Sequence, residues 1–512
     1  MLGTSNAFGF PVLSLAVFLP LAGALLIAAL PRASRPLYHA VAVLTSGAVL
    51  VLAGAMLAGY ESHWLATGSA AFQFADPPHG AASLLPGGVT YQVAVDGIGV
   101  VLVFLTALLT FLALVSGWTS VRTRVREYVI LVLALETGLL GVFCALDLFL
   151  FFVFWEAVLI PMVLLIAVWG GAGRVYASVK FLLYTMAGSA LMLVAVLVLR
   201  HEAGTETFGL LELLAAAPLA PGMQMALFAA FALAFAVKVP LVPLHTWLPD
   251  AHVEAPTAGS VLLAGVLLKM GVFGFVRLAM PLFPSAAMEA APWIAVLAVV
   301  GIWYGAWVAF AQSDVKSLVA YSSVSHMGIV ILGLFALNAQ GFSGGVLQMV
   351  NHGLSTGALF LLVGMLYDRA RTRQVSDFGG LWASMPRFSA LFLVVMLSSI
   401  GLPGTNGFVG ELLSLLGAFR ANMALGAAGA FGVVLGAVYM LWLYQRVFFG
   451  PTSDTSRSLP DLTPREVVVL LPIVALIFWI GLVPATFLTP IERSSQFWVT
   501  MIQTLGPVAG GP

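Results

Sequence analysis

Four ionisable side chains stand inside long apolar runs. Glu156 follows Phe151-Phe152-Val153-Phe154-Trp155, Lys238 precedes Val239-Pro240, Lys269 lies thirteen residues after Pro256, and Glu411 closes a glycine-rich stretch. A charge at the centre of a bilayer costs about 2.5–3.5 kcal/mol on insertion scales. Such a group survives by finding a partner, by facing water, or by becoming neutral. Burial favours the neutral form of acid and base alike, which makes proton exchange accessible. Glu156 and Lys238 carry opposite charges and are expected to face each other; the competing reading is a static ion pair that only fixes packing. His326, in Ser325-His326-Met327, and His352, in Asn351-His352-Gly353, also sit in apolar surroundings. An imidazole can accept and donate near neutral pH, so these two could extend a proton relay; the alternative is hydrogen-bonded packing. Lys180 and Lys316 fall near the ends of apolar runs and either support such a relay or extend toward headgroups. His245 and His252 are seven apart and could share a helix face. Pro249 interrupts that helix and no H-E-x-x-H spacing occurs, so a polar cap is expected there and no metal site.

These residues need a scaffold, and composition defines it. The chain has 512 residues, 61% hydrophobic and 8% charged, against about 25% charged in soluble proteins. Apolar runs of about 20 residues, the length that spans a bilayer as a helix, follow one another almost without pause. A barrel would instead show alternation over about ten residues. The expected fold is an all-α polytopic membrane protein. The single cysteine, Cys144, excludes an internal disulfide, and an iron–sulfur cluster normally takes four thiolates. No G-x-G-x-x-G or G-x-x-x-x-G-K-[ST] string is present, so no nucleotide, flavin or metal-cluster site is expected in this chain, and no nucleic-acid partner. The first nine residues lack positive charge, which argues for a retained first helix rather than a secretory leader.

Fourteen spans can be drawn, roughly 10–30, 38–59, 94–117, 128–145, 147–169, 177–199, 223–250, 256–279, 292–311, 317–337, 343–366, 388–418, 423–447 and 467–488. With the N-terminus outside, fifteen Lys and Arg fall in inner loops, Arg32 and Arg35 among them. Four, Arg200, Arg277, Arg420 and Arg493, fall outside. This asymmetry fits the positive-inside rule. Span 12 would be about 47 Å long as a straight helix, far beyond the roughly 30 Å hydrocarbon core. Gly401-Leu402-Pro403-Gly404 is expected to break it, and Pro240 with Pro243 to break span 7. Equivalent helices five spans apart run in opposite directions, which suggests two inverted five-helix repeats, each with one broken helix. The expected division is 1–127 (spans 1–3, with an outer segment 60–91), 128–279 (first repeat), 292–447 (second repeat) and 448–512 (span 14 and tail). Glu156 would lie about nine residues, roughly 14 Å, into its helix.

Phe154-Trp155-Glu156, the run from Lys238 to His252, Ala255-Pro256-Thr257 and the run from Gly401 to Glu411 resemble the antiporter-like subunits of respiratory complex I. The resemblance extends from about residue 90 to 450. In most of that family the residue of the second broken helix is lysine; Glu411 places this chain with the branch that has glutamate. The resemblance implies that Glu156 and Lys238 form a first half-channel, that Lys269 is the central relay, and that His326 and His352 lead to Glu411. It implies no cofactor in this chain, with FMN, iron–sulfur clusters and the quinone site in partner subunits. The implied partners are the other membrane subunits, especially neighbouring antiporter-like ones, and through them the NADH-oxidising arm. The implied location is the bacterial inner membrane. The alternative is a subunit of a multisubunit Na⁺/H⁺ antiporter without a redox partner, against which Glu411 argues.

Overall fold

The computed structural model describes residues 8–506 except 32–34, 68–71, 78–81, 86 and 217–218. Arg32, assigned above to an inner loop, lies outside the described residues. Among the described residues, thirteen helices are long and apolar enough to cross a membrane. The fourteenth crossing, span 12, consists of two halves too short to count singly, Pro386–Ser399 and Asn406–Ala421. The chain is therefore a multi-pass membrane protein, with fourteen candidate crossings among the described residues when the two halves of span 12 are taken together.

Prolines set the interruptions. Span 5 is divided at Val158 into Leu148–Ala157 and Leu159–Trp169. Pro161 lacks the N–H that the Ala157 carbonyl, four residues back, needs as its helical partner. Glu156 thus sits at the end of a helical segment. Span 7 stops at Lys238 and resumes as Trp247–Glu254. Its freed backbone is satisfied locally: Trp247 Nε1 donates to the Val237 carbonyl at 2.8 Å, and Leu241 N to Ala236 O at 2.8 Å. Orphan carbonyls at a helix end inside a bilayer need such partners. In span 12, Gly401 and Gly404 take positive φ, 74° and 91°, which glycine adopts without strain. The break is stitched to span 11 by Asn351 Nδ2 donating to Asn406 O at 2.7 Å.

Span 8, Thr257–Leu282, is buried throughout except at its two end residues. Two π-helical segments, Leu263–Leu267 and Phe275–Ala279, flank Lys269 within it. Such segments misalign the backbone ladder and recur at functional sites; the sequence carries no simple signal for them.

Two expectations need correction, and two features lie beyond them. The all-α fold carries two short strand pairs: Gln73–Asp76 pairs antiparallel with Val93–Val95, and Ala82–Leu85 with Val89–Tyr91, giving part of the segment 60–91 short strands. Residues 448–512 hold more than span 14 and a tail. Span 14, Pro464–Leu482, is followed by the helix Ala485–Leu505. That helix buries Phe487, Ile491, Trp498, Val499 and Ile502 and packs on spans 3 and 11. Its Glu492, Arg493 and Gln496 interrupt any long apolar run, so hydropathy alone passes over it. Arg277 is not in an outer loop but fully buried in span 8, paired with Asp96. Glu136, which the sequence reading passed over, is fully buried in span 4 and accepts a hydrogen bond from Ser46 Oγ at 3.0 Å.

Candidate functional site

Span 8 carries Lys269 to the centre of the molecule, where it is fully buried. Its Nζ lies 2.6 Å from His352 Nδ1 and also donates to the Ala264 carbonyl, in the first π-helical segment. His352 stands on span 11, Ala339–Ala370. Its ring centroid is 5.9 Å from that of His326, on span 10, Val315–Leu334. His326 Nδ1 is 3.1 Å from Glu411 Oε1, in the first turns of the second half of span 12. Lys269, His352, His326 and Glu411 therefore form one line across four spans. Between the two imidazoles lies a cavity of about 10 Å³, lined by Gln348, Asn351, Ser355, Ser398 and Ser399. That is room for about one water, enough to bridge the rings through polar walls.

Several side chains of this line were not singled out by sequence. Gln348 Nε2 donates to Glu411 Oε1 at 3.1 Å. Ser399 Oγ and Tyr439 Oη lie 3.4 and 3.5 Å from His326 Nε2. A hydroxyl both donates and accepts, so either tautomer of His326 finds a partner on that side. Gln348 and His352 are four apart on one helix and share a face, a polar pair in an apolar run that could have been noticed.

Glu156 and Lys238 do not form a contact ion pair. Lys238 is buried with its ammonium over the rings of Trp155, at 5.1 Å, and Phe181, at 5.7 Å. A cation over an aromatic face is stabilised by the ring quadrupole. The charge of half-buried Glu156 acts on Lys238 from a distance. Lys238 also stands close to span 8: a Cβ on Gly271 would meet Lys238 Cβ at 3.0 Å and the Phe235 carbonyl at 2.8 Å. Only glycine lets spans 7 and 8 approach so closely, two residues from Lys269.

The supporting residues lie toward the side bearing most of the basic loops. Lys180 pairs with Asp250 at 2.7 Å. Lys316 donates to the carbonyls of Ala255 at 2.6 Å and Val253 at 3.2 Å. It lines a cavity of about 590 Å³ together with Arg122, Glu254, Asp368 and Arg373. His245 meets the Tyr304 ring edge-on at 4.9 Å, while His252 stacks on Phe360 at 4.7 Å. The two histidines thus face different partners. No group of three or more His, Cys, Asp or Glu side chains that could hold a metal is found among the described residues.

Residues 145–436 match the family described as NADH:quinone oxidoreductase/Mrp antiporter, transmembrane. The chain is 44% identical to NADH-quinone oxidoreductase subunit M of Rhodobacter capsulatus, over 93% of each chain. It is 42% identical to NADH-ubiquinone oxidoreductase chain 4 of Marchantia polymorpha, over 93% of this chain and 95% of that one. Its backbone superposes on a chain of respiratory complex I from Thermus thermophilus with a TM-score of 0.86 and 37% identity, covering 96% of this chain and 99% of the other. With this coverage and these breaks and buried charges in common reach of one line, the chain belongs to the family of antiporter-like membrane subunits of NADH–quinone oxidoreductase.

Proposed function

We propose that this chain moves protons across the bacterial inner membrane as a subunit of a NADH–quinone oxidoreductase. Electron transfer from NADH to quinone takes place in partner subunits and drives the movement. The observation that carries the reading is the line Lys269–His352–His326–Glu411, in contact at both ends and with one short gap between the two imidazoles. Every member can bind and release a proton. A proton on Lys269 has one titratable acceptor at contact distance, His352. From there it passes by ring rotation or one water to His326, and then to Glu411 at the break of span 12. Each hop exchanges a proton between groups already within or near hydrogen-bond reach, the geometry that proton transfer needs.

Upstream, Lys238 supplies the electrostatic control. With Glu156 apart from it, the Lys238 ammonium and a protonated Lys269 are like charges on closely packed spans. Drawing Glu156 toward Lys238 would relieve that repulsion, and withdrawing it would favour release of the Lys269 proton toward His352. The side carrying the basic loops is the inner face, with the N-terminus outside, as the Lys and Arg asymmetry supports. The broken spans 7 and 12 belong to two inverted repeats, 128–279 and 292–447, for which their five-span separation is the support. The neighbours are other complex I membrane subunits, antiporter-like ones among them. FMN, iron–sulfur clusters and the quinone site reside in those partners and in the peripheral arm.

Purification of the intact complex tests this reading. Flavin- and iron–sulfur-bearing subunits should co-purify, and NADH should drive proton uptake into inverted vesicles. A complex without redox subunits that exchanges Na⁺ for H⁺ would support the antiporter reading instead.

A further inference from the structure

The most deeply buried ion pair among the described residues lies away from the proton line. Arg277 and Asp96 have side chains 0% and 1% exposed, with Nη2 to Oδ1 at 2.6 Å. Arg277 follows Lys269 by eight residues in the same span, about 12 Å along a helix axis, on the side opposite the basic loops. It sits in the second π-helical segment, Phe275–Ala279.

Three distant segments converge on this pair. Asp96 caps span 3 by accepting from Gly99 N at 2.7 Å, and its Oδ2 accepts from Trp498 Nε1 of the C-terminal helix at 2.9 Å. Gly97 N donates to Ser494 Oγ of the same helix at 2.9 Å. The guanidinium lies between the rings of Phe72 and Phe273, each at 4.7 Å, with Trp498 at 5.8 Å. Its Nε and Nη1 meet no acceptor among the described residues. Between Lys269 and this cage the span reads Met270-Gly271-Val272-Phe273-Gly274-Phe275-Val276, all apolar and buried.

Stability does not require such a pair. Replacing a buried ion pair by apolar side chains is often neutral or favourable. A fixed, permanently charged arginine has another use. It keeps its proton at every accessible pH, so it cannot hand one on, and its charge opposes the passage of another cation. Aromatic rings pack against the guanidinium and offer a proton no acceptor.

We propose that Arg277, held by Asp96 and Trp498, plugs the far end of span 8 against protons, so that a proton on Lys269 leaves only sideways, to His352. The proposal rests on the proton-carrying role of Lys269 stated above. In that scheme a path from Lys269 straight to the far side would short-circuit the pump, and the plug makes the lateral route obligatory.

The test uses the intact complex in vesicles, with Arg277→Gln and, as a milder change, Trp498→Phe, which keeps an aromatic ring but removes the donor to Asp96. An imposed proton gradient is allowed to decay with NADH oxidation inhibited. Both variants should lose the gradient faster, by at least about 3-fold, the size of effect that one lost hydrogen bond produces on a barrier. NADH oxidation should be retained or raised as coupling loosens. Adding Lys269→Met to Arg277→Gln should suppress the leak, because the plug guards that route. Gradient decay unchanged in assembled Trp498→Phe, or assembly lost in Arg277→Gln with no leak per assembled Trp498→Phe complex, would overturn the proposal and leave the cage as a fastening of the C-terminal helix. A leak that persists without Lys269 would overturn the guarded route. Failure of the underlying pump reading shows separately, as absent NADH-driven proton uptake in the unsubstituted complex.

Discussion

His352 is the link whose removal has the most calculable consequence. The change His352→Leu keeps the bulk and the apolar packing of a fully buried position but takes away both ring nitrogens. In the native arrangement Lys269 Nζ stands 2.6 Å from His352 Nδ1, and the two imidazole centroids are 5.9 Å apart. Without the ring, Lys269 loses this contact and a proton must reach His326 through water alone. One water bridging two hydrogen bonds of about 2.8 Å each spans less than 6 Å. The cavity of about 10 Å³ that both rings line holds about one water, so little can take the place of the lost ring nitrogens. Loss of a positioned proton carrier typically lowers the rate about 10²–10⁴-fold. NADH-driven proton uptake should therefore fall to near background, while the complex assembles as judged by native gel. His352→Gln, which keeps a hydrogen-bonding amide but cannot carry a proton along the line, should be nearly as inactive. Uptake within a factor of two of native in assembled His352→Leu would refute the reasoning, since protons would then be crossing by a line that omits this residue.

Two further outcomes follow from the breaks and the close helix contact. Trp247→Phe removes the donor to the buried Val237 carbonyl, 2.8 Å away at the break of span 7. It should cost about 1–3 kcal/mol, the penalty of a buried unsatisfied carbonyl, and should appear as a lower unfolding temperature of the purified complex; an unchanged temperature would show that the break does not depend on this cap. Gly271→Ala places a methyl 2.8 Å from the Phe235 carbonyl and 3.0 Å from Lys238 Cβ. Spans 7 and 8 must separate, at a cost of about 1–3 kcal/mol for overpacking, and proton uptake per NADH oxidised should drop because Lys238 moves away from Lys269. Native stoichiometry in assembled Gly271→Ala would show that this spacing is not critical.

Much of the architecture is legible in the sequence because the bilayer simplifies the code. A span announces itself as an uninterrupted apolar run, and Gly401, Pro403 and Gly404 mark a break because no helix tolerates them together without consequence. Elements that do not follow this code escape it. The helix Ala485–Leu505 alternates polar and apolar faces, so its membership in the core depends on partners in spans 3 and 11 that are hundreds of residues away. Arg277 reads as a loop residue because it lies near the end of an apolar run, whereas Asp96, distant in sequence, makes its burial tolerable. Glu136 has no charged residue close to it in sequence to draw attention to it; among the described residues its hydrogen-bond partner is a serine. Lys269, His326, His352 and Glu411 stand out by residue type, but their order along one line depends on the packing of spans 8, 10, 11 and 12. The π-helical segments that flank Lys269 leave no trace in composition. For Glu156 and Lys238, opposite charges in spans 5 and 7 suggest that the two face each other, whereas the seat of the Lys238 cation on Trp155 and Phe181 is not legible in residue type.

The central claim is that Glu411 ends the proton line as a titrating group. Glu411→Gln preserves shape and leaves an acceptor for Gln348, now 3.1 Å from Oε1, while removing the exchangeable proton. Glu411→Lys restores a titratable group of opposite sign. The decisive measurement is the number of protons taken up per NADH oxidised in inverted vesicles, with assembly checked on a native gel. Glu411→Gln should lose most of its proton uptake and its coupled quinone reduction although the complex assembles, and Glu411→Lys should retain more of both. Full proton uptake by a well-assembled Glu411→Gln complex, with Glu411→Lys the more damaging change, would contradict the account and mark Glu411 as a packing residue.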